Sequence, residues 1–244
     1  MGTHTRARVC VRPIFSCEIN QFKLKRKKFV IQFKRMHYPT RRISPFLVLI
    51  SSCNMQQSFI MPLNMDSISK HLIQVRQGLE LLDPHEIEKG VSLFRMVRSW
   101  GGTVYLFGNG GSAALASHFA NDLMKMGRVR AVCLSDAFPL VSAYGNDEGW
   151  ENMYLNQLKV VFDQKDCVVG ITCSGNSENV VRAVGWAYGE GGLALVLTGE
   201  RKDTKVNNIG NFPILYARVP DIRVQEDLHS VACHAMARAL MEEE

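Results

Sequence analysis

The sequence lacks paired cysteines and long apolar runs. Its seven cysteines are odd in number and scattered, and none forms a Cys-x-x-Cys pair. This pattern argues against a disulfide framework or a structural zinc knot and suits a reducing compartment. No apolar run approaches the ~20 residues of a membrane span, and no helix-turn-helix pattern, repeat or low-complexity stretch is evident. We therefore expect a soluble, cytoplasmic protein with no membrane partner.

Acidic residues are nearly absent from the first quarter of the chain. Residues 1–64 contain twelve of the 29 Lys and Arg but one of the 23 Asp and Glu, so they carry a net charge of +11 and the remainder carries −5. The mildly acidic remainder argues against a nucleic-acid partner. The basic run at 23–28 could bind nucleic acid or an anionic membrane, but no amphipathic pattern accompanies it. We interpret residues 1–64 as a basic leader, disordered or translated from a wrongly assigned start, and 65–244 as the folded domain.

Apolar spacing from residue 66 onward predicts two helices, 67–82 and 85–100, followed by alternating strands and helices. The predicted strands are 103–107, 130–134, 167–171, 193–197 and 213–217. The predicted helices among and after them are 112–126, 138–145, 150–162, 177–190 and 223–241. This order predicts an α/β fold, a doubly wound five-stranded parallel sheet flanked by helices, with an N-terminal helical pair.

Two turns rich in glycine and hydroxyl groups follow predicted strands. They are Gly-Asn-Gly-Gly-Ser at 108–112 and Thr-Cys-Ser-Gly-Asn-Ser at 172–177. Each opens a helix, whose N-terminal N–H groups can hold an anion. Because the carboxyl ends of parallel strands meet at one crevice, both turns should converge on one phosphorylated small molecule. The hydroxyls of Thr172, Ser174 and Ser177 suit a phosphate monoester better than a bridging pyrophosphate.

Two other interpretations of these turns remain open from the residues alone. Gly108-x-Gly110-x-x-Ala113, with Asp136 ending the next strand, also fits a dinucleotide-binding fingerprint. Ser174 and Ser177 could merely cap the following helix. Capping explains one serine better than it explains three hydroxyls around a glycine.

Polar side chains on two helices form a second candidate cluster. His118 and Asp122 are four residues apart and share one helix face. Glu226, His229 and His234 lie on the last helix, where Glu226 and His234 are about 80° apart on the helical wheel. A single histidine is more often structural. Together these groups could bind a zinc-like cation or act as an acid/base pair with no metal.

At these residues the chain resembles the sugar isomerase (SIS) domain family and, within it, the phosphoheptose isomerases. The resemblance covers roughly residue 66 to the C-terminus. Its motifs are Phe-Gly-Asn-Gly-Gly-Ser at 107–112, His-Phe-Ala-x-x-Leu at 118–123, Gly-Asn-Asp at 145–147, Gly-Ile-x-x-Ser-Gly-Asn-Ser at 170–177, Leu-Thr-Gly at 197–199 and a closing helix with two histidines five apart. This resemblance decides against the dinucleotide interpretation.

The resemblance implies conversion of sedoheptulose 7-phosphate to glycero-manno-heptose 7-phosphate through an enediol, which leads to bacterial heptose for lipopolysaccharide. It also implies a homotetramer with sites at subunit interfaces, zinc as the metal and no nucleotide cofactor. A rival function is a non-catalytic SIS module of the replication-initiator-associating type. A sugar-sensing regulator is disfavoured because no helix-turn-helix pattern precedes the domain.

The resemblance also assigns roles to individual residues. Asp122 and His234 would be the acid/base pair. The implied metal ligands are His118, Asp122, Glu226 and His234. The implied substrate-binding residues are Asn109, Gly110, Gly111, Ser112, Asp147, Thr172, Cys173, Ser174, Ser177 and Glu226. Two positions depart from the family pattern, which usually has Glu in place of Asp122 and Gln in place of Glu226.

Overall fold

The structure is a computed structural model in which residues 65–200 and 203–242 are described; the interpretation of residues 1–64 lies outside these ranges. The helices within them are α1 (Met65–Leu79), α2 (Pro84–Trp100), α3 (Gly111–Lys125), α4 (Phe138–Asp147), α5 (Met153–Val161), α6 (Glu178–Gly189) and α7 (Ile222–Met241). The strands are β1 (Val104–Gly108), β2 (Ala131–Cys133), β3 (Cys167–Thr172), β4 (Leu193–Gly199) and β5 (Ile214–Ala217). Among the described residues, no helix is long and apolar enough to cross a membrane.

The five strands form one parallel sheet in the order β2-β1-β3-β4-β5. The strands β1 and β3 are neighbours, and Gly108 at the end of β1 pairs with Ile171 near the end of β3. Both strands are buried along their whole length. The predicted fold class is confirmed, and the two turns that follow β1 and β3 lie at the same edge of the sheet.

Helices cover both faces of the sheet, as a doubly wound fold requires. One buried cluster joins the sheet to α2, α3 and α7, with Phe94, Phe119 and Met236 among its members. The other joins the opposite face to α5 and α6, with Tyr154 and Val184 among its members. The helices α3 and α7 therefore lie side by side on the first face, where each carries part of the candidate cluster.

The N-terminal helical pair is present, and its boundaries differ from the predicted ones by up to three residues. The break at Asp83 arises because its carboxylate accepts a hydrogen bond from the His85 N–H and caps α2. The helix α1 ends at Leu79, three residues before the predicted end. The apolar spacing that predicts this helix includes Leu72, which is 63% exposed and so is not buried within the described chain.

Short 3₁₀ helices, which the sequence pattern did not predict, lie at Leu134–Asp136, Trp150–Asn152 and Lys205–Asn208. The first two flank α4, which contains no buried residue. Large apolar side chains are exposed on and beside α4, including Phe138, Leu140 and Trp150.

Candidate active site

The first turn is held by hydrogen bonds to the end of β1. The Tyr154 hydroxyl donates to the Gly108 carbonyl, and the Ser135 Oγ lies 3.0 Å from the Tyr154 oxygen. Burial raises the pKa of Tyr154, so its hydroxyl remains protonated and available as a donor. Gly110, the N-cap residue of α3, has φ of +55°, a conformation that favours glycine. The start of α3 is therefore placed accurately against β1.

The second turn brings its three hydroxyls together. The Thr172 Oγ1 lies 3.1 Å from the Ser177 Oγ and 3.3 Å from the Ser174 Oγ. Ser177 occupies the N-cap position of α6, but its side chain makes no capping hydrogen bond. The Ser174 Oγ accepts a hydrogen bond of 3.1 Å from the Asn176 N–H. Side-chain capping therefore does not account for Ser177, and the clustered hydroxyls remain suited to a phosphate.

The carboxylate beside the second turn is paired with two cations. Glu178 begins α6, and its carboxylate accepts hydrogen bonds from Lys205 and from Arg182, the latter at 3.0 Å. These hydrogen bonds lower the pKa of Glu178, that from Lys205 most. Because both cations offset the carboxylate, the negative charge at the start of α6 opposes an incoming phosphate less than an isolated glutamate would.

Three of the four predicted metal ligands converge where α3 meets α7. The Nε2 atoms of His118 and His234 are 2.9 Å apart, and the Asp122 Oδ2 lies 3.4 Å from the first and 3.7 Å from the second. One ligand atom from each residue lies within 4.8 Å of the others. Asp122 is buried, whereas both histidines are exposed. Two imidazole nitrogens and a carboxylate form a donor set that can hold a metal ion.

Glu226 is not part of this three-residue cluster. Its carboxylate lies against Gly111 at the start of α3, where an added methyl group would come 2.7 Å from the Glu226 Oε1. A cavity of about 270 Å³ lies between α3 and α7. It is lined by Gly111, Ser112, Leu115, His118, Glu226, His229 and Ser230. The cavity therefore extends from the first turn to His118 of the three-residue cluster. A metal-binding role of Glu226 remains a prediction.

His229 lies in the interior beside this cavity. The residue is 0% exposed, and among the described residues neither ring nitrogen has a well-formed hydrogen bond. Burial lowers the pKa of His229 to about 4, and the nearby backbone of Thr198 opposes part of that shift. The ring is therefore neutral near pH 7. It lines the cavity as an uncharged group.

Other predicted substrate-binding residues occupy varied positions. Ser112 is buried in the first turn of α3, and Cys173 is buried in the second turn. Asp147 ends α4 and is exposed, and its carboxylate accepts a hydrogen bond of 2.6 Å from the Asn146 amide. The assignment of Asp147 to the sugar site remains a prediction.

Sequence reasoning missed the residues that support the two turns. Asn179, in the first turn of α6, forms hydrogen bonds with Asn109. Ser135 and Tyr154 come from other elements to hold Gly108. Of these residues only Asn179 could have been suspected from the sequence, because it is a polar residue two positions after Ser177. Nothing local to Tyr154 indicates a contact 46 residues away.

Comparison with known proteins places the chain in a family. The SIS domain family profile matches residues 70–199. The phosphoheptose isomerase of Aquifex aeolicus (strain VF5) is 36% identical over 149 residues, which span 58% of this chain and 76% of the relative. The chain therefore belongs to the SIS domain family and, within it, to the phosphoheptose isomerases.

Solved structures show the same fold. The phosphoheptose isomerase of Neisseria gonorrhoeae superposes with a TM-score of 0.68 at 26% identity, covering 72% of this chain and 98% of that one. The Vibrio vulnificus NanR protein, solved in complex with ManNAc-6P, superposes with a TM-score of 0.55 at 15% identity, covering 73% and 62% of the two chains. At 15% identity the likeness concerns the fold alone. The phosphoheptose isomerase relatives, in contrast, indicate a phosphosugar isomerase enzyme.

Proposed function

We propose that the protein is an aldose–ketose isomerase that converts sedoheptulose 7-phosphate to D-glycero-D-manno-heptose 7-phosphate. The observation that carries this proposal is the convergence of Asp122 with His118 and His234 beside a cavity whose other end is the first glycine turn. A ligand in this cavity would present its carbon chain to a carboxylate and two imidazoles. These groups suit proton transfer next to a carbonyl.

Phosphate binding would supply orientation in this reaction. The hydroxyls of Thr172, Ser174 and Ser177 lie close together at the start of α6, where unpaired helix N–H groups attract an anion. A phosphate held there would fix one end of the sugar while the other end lies near the acid/base pair. Such positioning can lower the activation free energy by several kcal/mol.

Proton transfer would use Asp122 and His234. One of them takes the proton from the first carbon, beside the ketone carbonyl, and the other protonates the carbonyl oxygen, which gives the enediol. The second carbon of the enediol is then protonated while the hydroxyl on the first carbon gives up its proton to the other group, which leaves the aldehyde. The Asp122 Oδ1 accepts a hydrogen bond of 3.1 Å from the Asn121 amide while the Oδ2 faces the two histidines. This arrangement fixes the reactive carboxylate oxygen toward the site.

The donor set also fits zinc. Two histidine nitrogens and one carboxylate oxygen are ligand types that zinc accepts in proteins. His118, Asp122 and His234 would hold the ion, with Glu226 as the predicted fourth ligand. A bound zinc ion would stabilise negative charge on the enediolate oxygens as a Lewis acid.

We also propose a cytoplasmic homotetramer. The exposed apolar side chains of Phe138, Leu140 and Trp150 favour burial against further copies of the chain. Light scattering on the purified protein should give the mass of four chains, and the mass of a single chain would contradict this assembly.

The substrate proposal is tested by comparing two sugars. Purified protein supplied with zinc should convert sedoheptulose 7-phosphate and leave unphosphorylated sedoheptulose almost unchanged, because only the first can be held by the second turn. Binding of the phosphorylated sugar without conversion would support the non-catalytic module instead. Equal conversion of both sugars would contradict the phosphate site.

The Ser174→Ala variant tests the phosphate position directly. A hydrogen bond to a charged group contributes roughly 1.5–3 kcal/mol, so KM should rise about tenfold or more. The matched control is Ser142→Ala, since the Ser142 hydroxyl is exposed and donates to the Pro139 carbonyl. Unchanged KM and kcat in the Ser174 variant would contradict the assignment.

A further inference from the structure

The two glycine turns are joined by a pair of side-chain amides. The Asn109 Nδ2 donates to the Asn179 Oδ1 at 3.0 Å, and the Asn179 Nδ2 donates back to the Asn109 Oδ1 at 2.8 Å. Asn109 lies in the glycine-rich turn after β1. Asn179 is the second residue of α6, the helix that follows the glycine-rich turn at 172–177. The pair therefore bridges the elements that would hold the two ends of the substrate.

A backbone contact fixes the orientation of both amides. The Asn179 Oδ1 also accepts a hydrogen bond of 3.0 Å from the Val180 N–H, which can only donate and which is shared with the Ser177 carbonyl, also at 3.0 Å. The oxygen of Asn179 must therefore face α6, and this orientation requires the Asn109 Nδ2 to face Asn179. Asn179 is 1% exposed, so water competes poorly for these bonds.

The bonding also restricts what Asn109 can offer a ligand. An amide side chain has two N–H groups and one carbonyl oxygen, and the pair uses one N–H and the oxygen of Asn109. Asn109 therefore lies in the predicted sugar site with an amide whose orientation is set by its partner.

We propose that Asn179 is a positioning residue for the isomerase reaction, which ties the second turn to the first and fixes the Asn109 amide. This inference rests on the proposed isomerase function. Without the pair, the second turn should still hold a phosphate, but the sugar end should be less well placed against Asp122 and His234. Misplacement by about 1 Å can reduce the rate about 100-fold.

A double-mutant cycle tests this inference. Asn109→Ala and Asn179→Ala should each lower kcat about tenfold or more, and the double variant should lose no more than about twofold beyond Asn109→Ala, because the Asn109 change already removes the pair. The inhibition constant of inorganic phosphate should stay within about twofold of the parent in all three. Asn211→Ala, an exposed asparagine in the described chain, is the control and should match the parent.

A second variant, Asn179→Asp, separates the loss of the amide pair from a loss of folding. Asn179→Asp keeps the acceptor for the Val180 N–H and for the Asn109 Nδ2 but cannot donate to the Asn109 oxygen, so kcat should fall less than in Asn179→Ala. Losses in kcat that multiply in the double variant, or a phosphate inhibition constant that rises in parallel, would overturn the positioning role while leaving an active parent enzyme as an isomerase. A parent with no turnover would overturn the isomerase and this inference together.

Discussion

Asp122 combines burial with direct contact to two histidines. Only 7% of the residue is exposed, yet its Oδ2 lies within 3.7 Å of the Nε2 atoms of His118 and His234. A buried carboxylate next to imidazoles is well suited to move a proton or to help hold a cation. The aspartate is one methylene shorter than the glutamate that the family pattern usually has, and it still reaches both rings.

Removing either member of the proposed acid/base pair should abolish most turnover. Asp122→Asn and His234→Gln should each lower kcat about 100-fold or more, because positioned acid/base groups typically contribute about 10²–10⁴-fold. The phosphorylated sugar should still bind, since the second turn is unchanged. Steady-state kinetics and equilibrium titration of the sugar measure the two quantities separately.

The control for this prediction is Asp136→Asn. Asp136 is an exposed carboxylate that accepts a hydrogen bond of 2.8 Å from Ser117, and it would contact a ribose only in the dinucleotide interpretation. The kcat of the Asp136→Asn variant should equal that of the parent protein. Parent-like turnover in both Asp122→Asn and His234→Gln would contradict the proposed roles.

His229 should make the folded protein sensitive to mild acid. Its folded pKa of about 4 lies below the ordinary value of 6.5, so between these pH values the unfolded chain binds a proton that the native chain does not. The free energy of unfolding should therefore fall as pH decreases, by about 2 kcal/mol from this residue between pH 7.5 and pH 5. Urea unfolding of the parent and of the His229→Gln variant at both pH values measures the contribution of His229 to this pH dependence. Equal pH dependence in parent and variant would contradict it.

Residue patterns predicted part of the site. The spacing of His118 and Asp122 placed them on one helix face because both belong to one regular helix. Their meeting with His234, 116 residues from His118, depends on how α3 packs against α7, and local spacing carries no such information. The same limit explains why the Asn109 contact of Asn179 was missed.

At the scale of elements, the second turn depends on Gly175. This glycine has φ of +66°, and an added methyl group would lie 2.9 Å from the Thr204 Cβ. Gly175→Ala should therefore strain the turn and push away the segment around Thr204, lowering the free energy of unfolding by about 1–3 kcal/mol and raising KM. Thermal unfolding and steady-state kinetics measure the two effects.

Gly189→Ala is the matched control. Gly189 ends α6, does not have positive φ, and has no atoms within 4 Å of an added methyl group. This variant should be as stable as the parent or slightly more stable, because alanine lowers the entropy of the unfolded chain. A Gly175 variant as stable as the Gly189 variant would show that the turn tolerates a side chain.

The order and type of the regular elements could be predicted because strand and helix periodicity dominate this chain. Each predicted helix and strand overlaps one in the structure. The 3₁₀ helices were missed because segments of three or four residues have no measurable periodicity. The early end of α1 was missed because exposed leucines in a helix resemble a buried stripe in sequence.

At the scale of the whole molecule, the folded domain should function without the basic leader. The predicted site residues and both turns lie after residue 64, whereas residues 1–64 carry the excess positive charge. A chain that begins at Met65 should fold, assemble and turn over substrate like the full chain. Loss of solubility or of activity in the shortened chain would show that the leader belongs to the domain.

Proton transfer through an enediol is most directly tested by NMR in D₂O with sedoheptulose 7-phosphate and zinc. Because the proton added to the second carbon comes from a group that exchanges with solvent, the aldose product should appear with deuterium at that carbon. The parent protein should produce these signals, and Asp122→Asn should produce them at least about 100-fold more slowly. A substrate spectrum that stays unchanged with the parent protein would contradict the proposed isomerase mechanism.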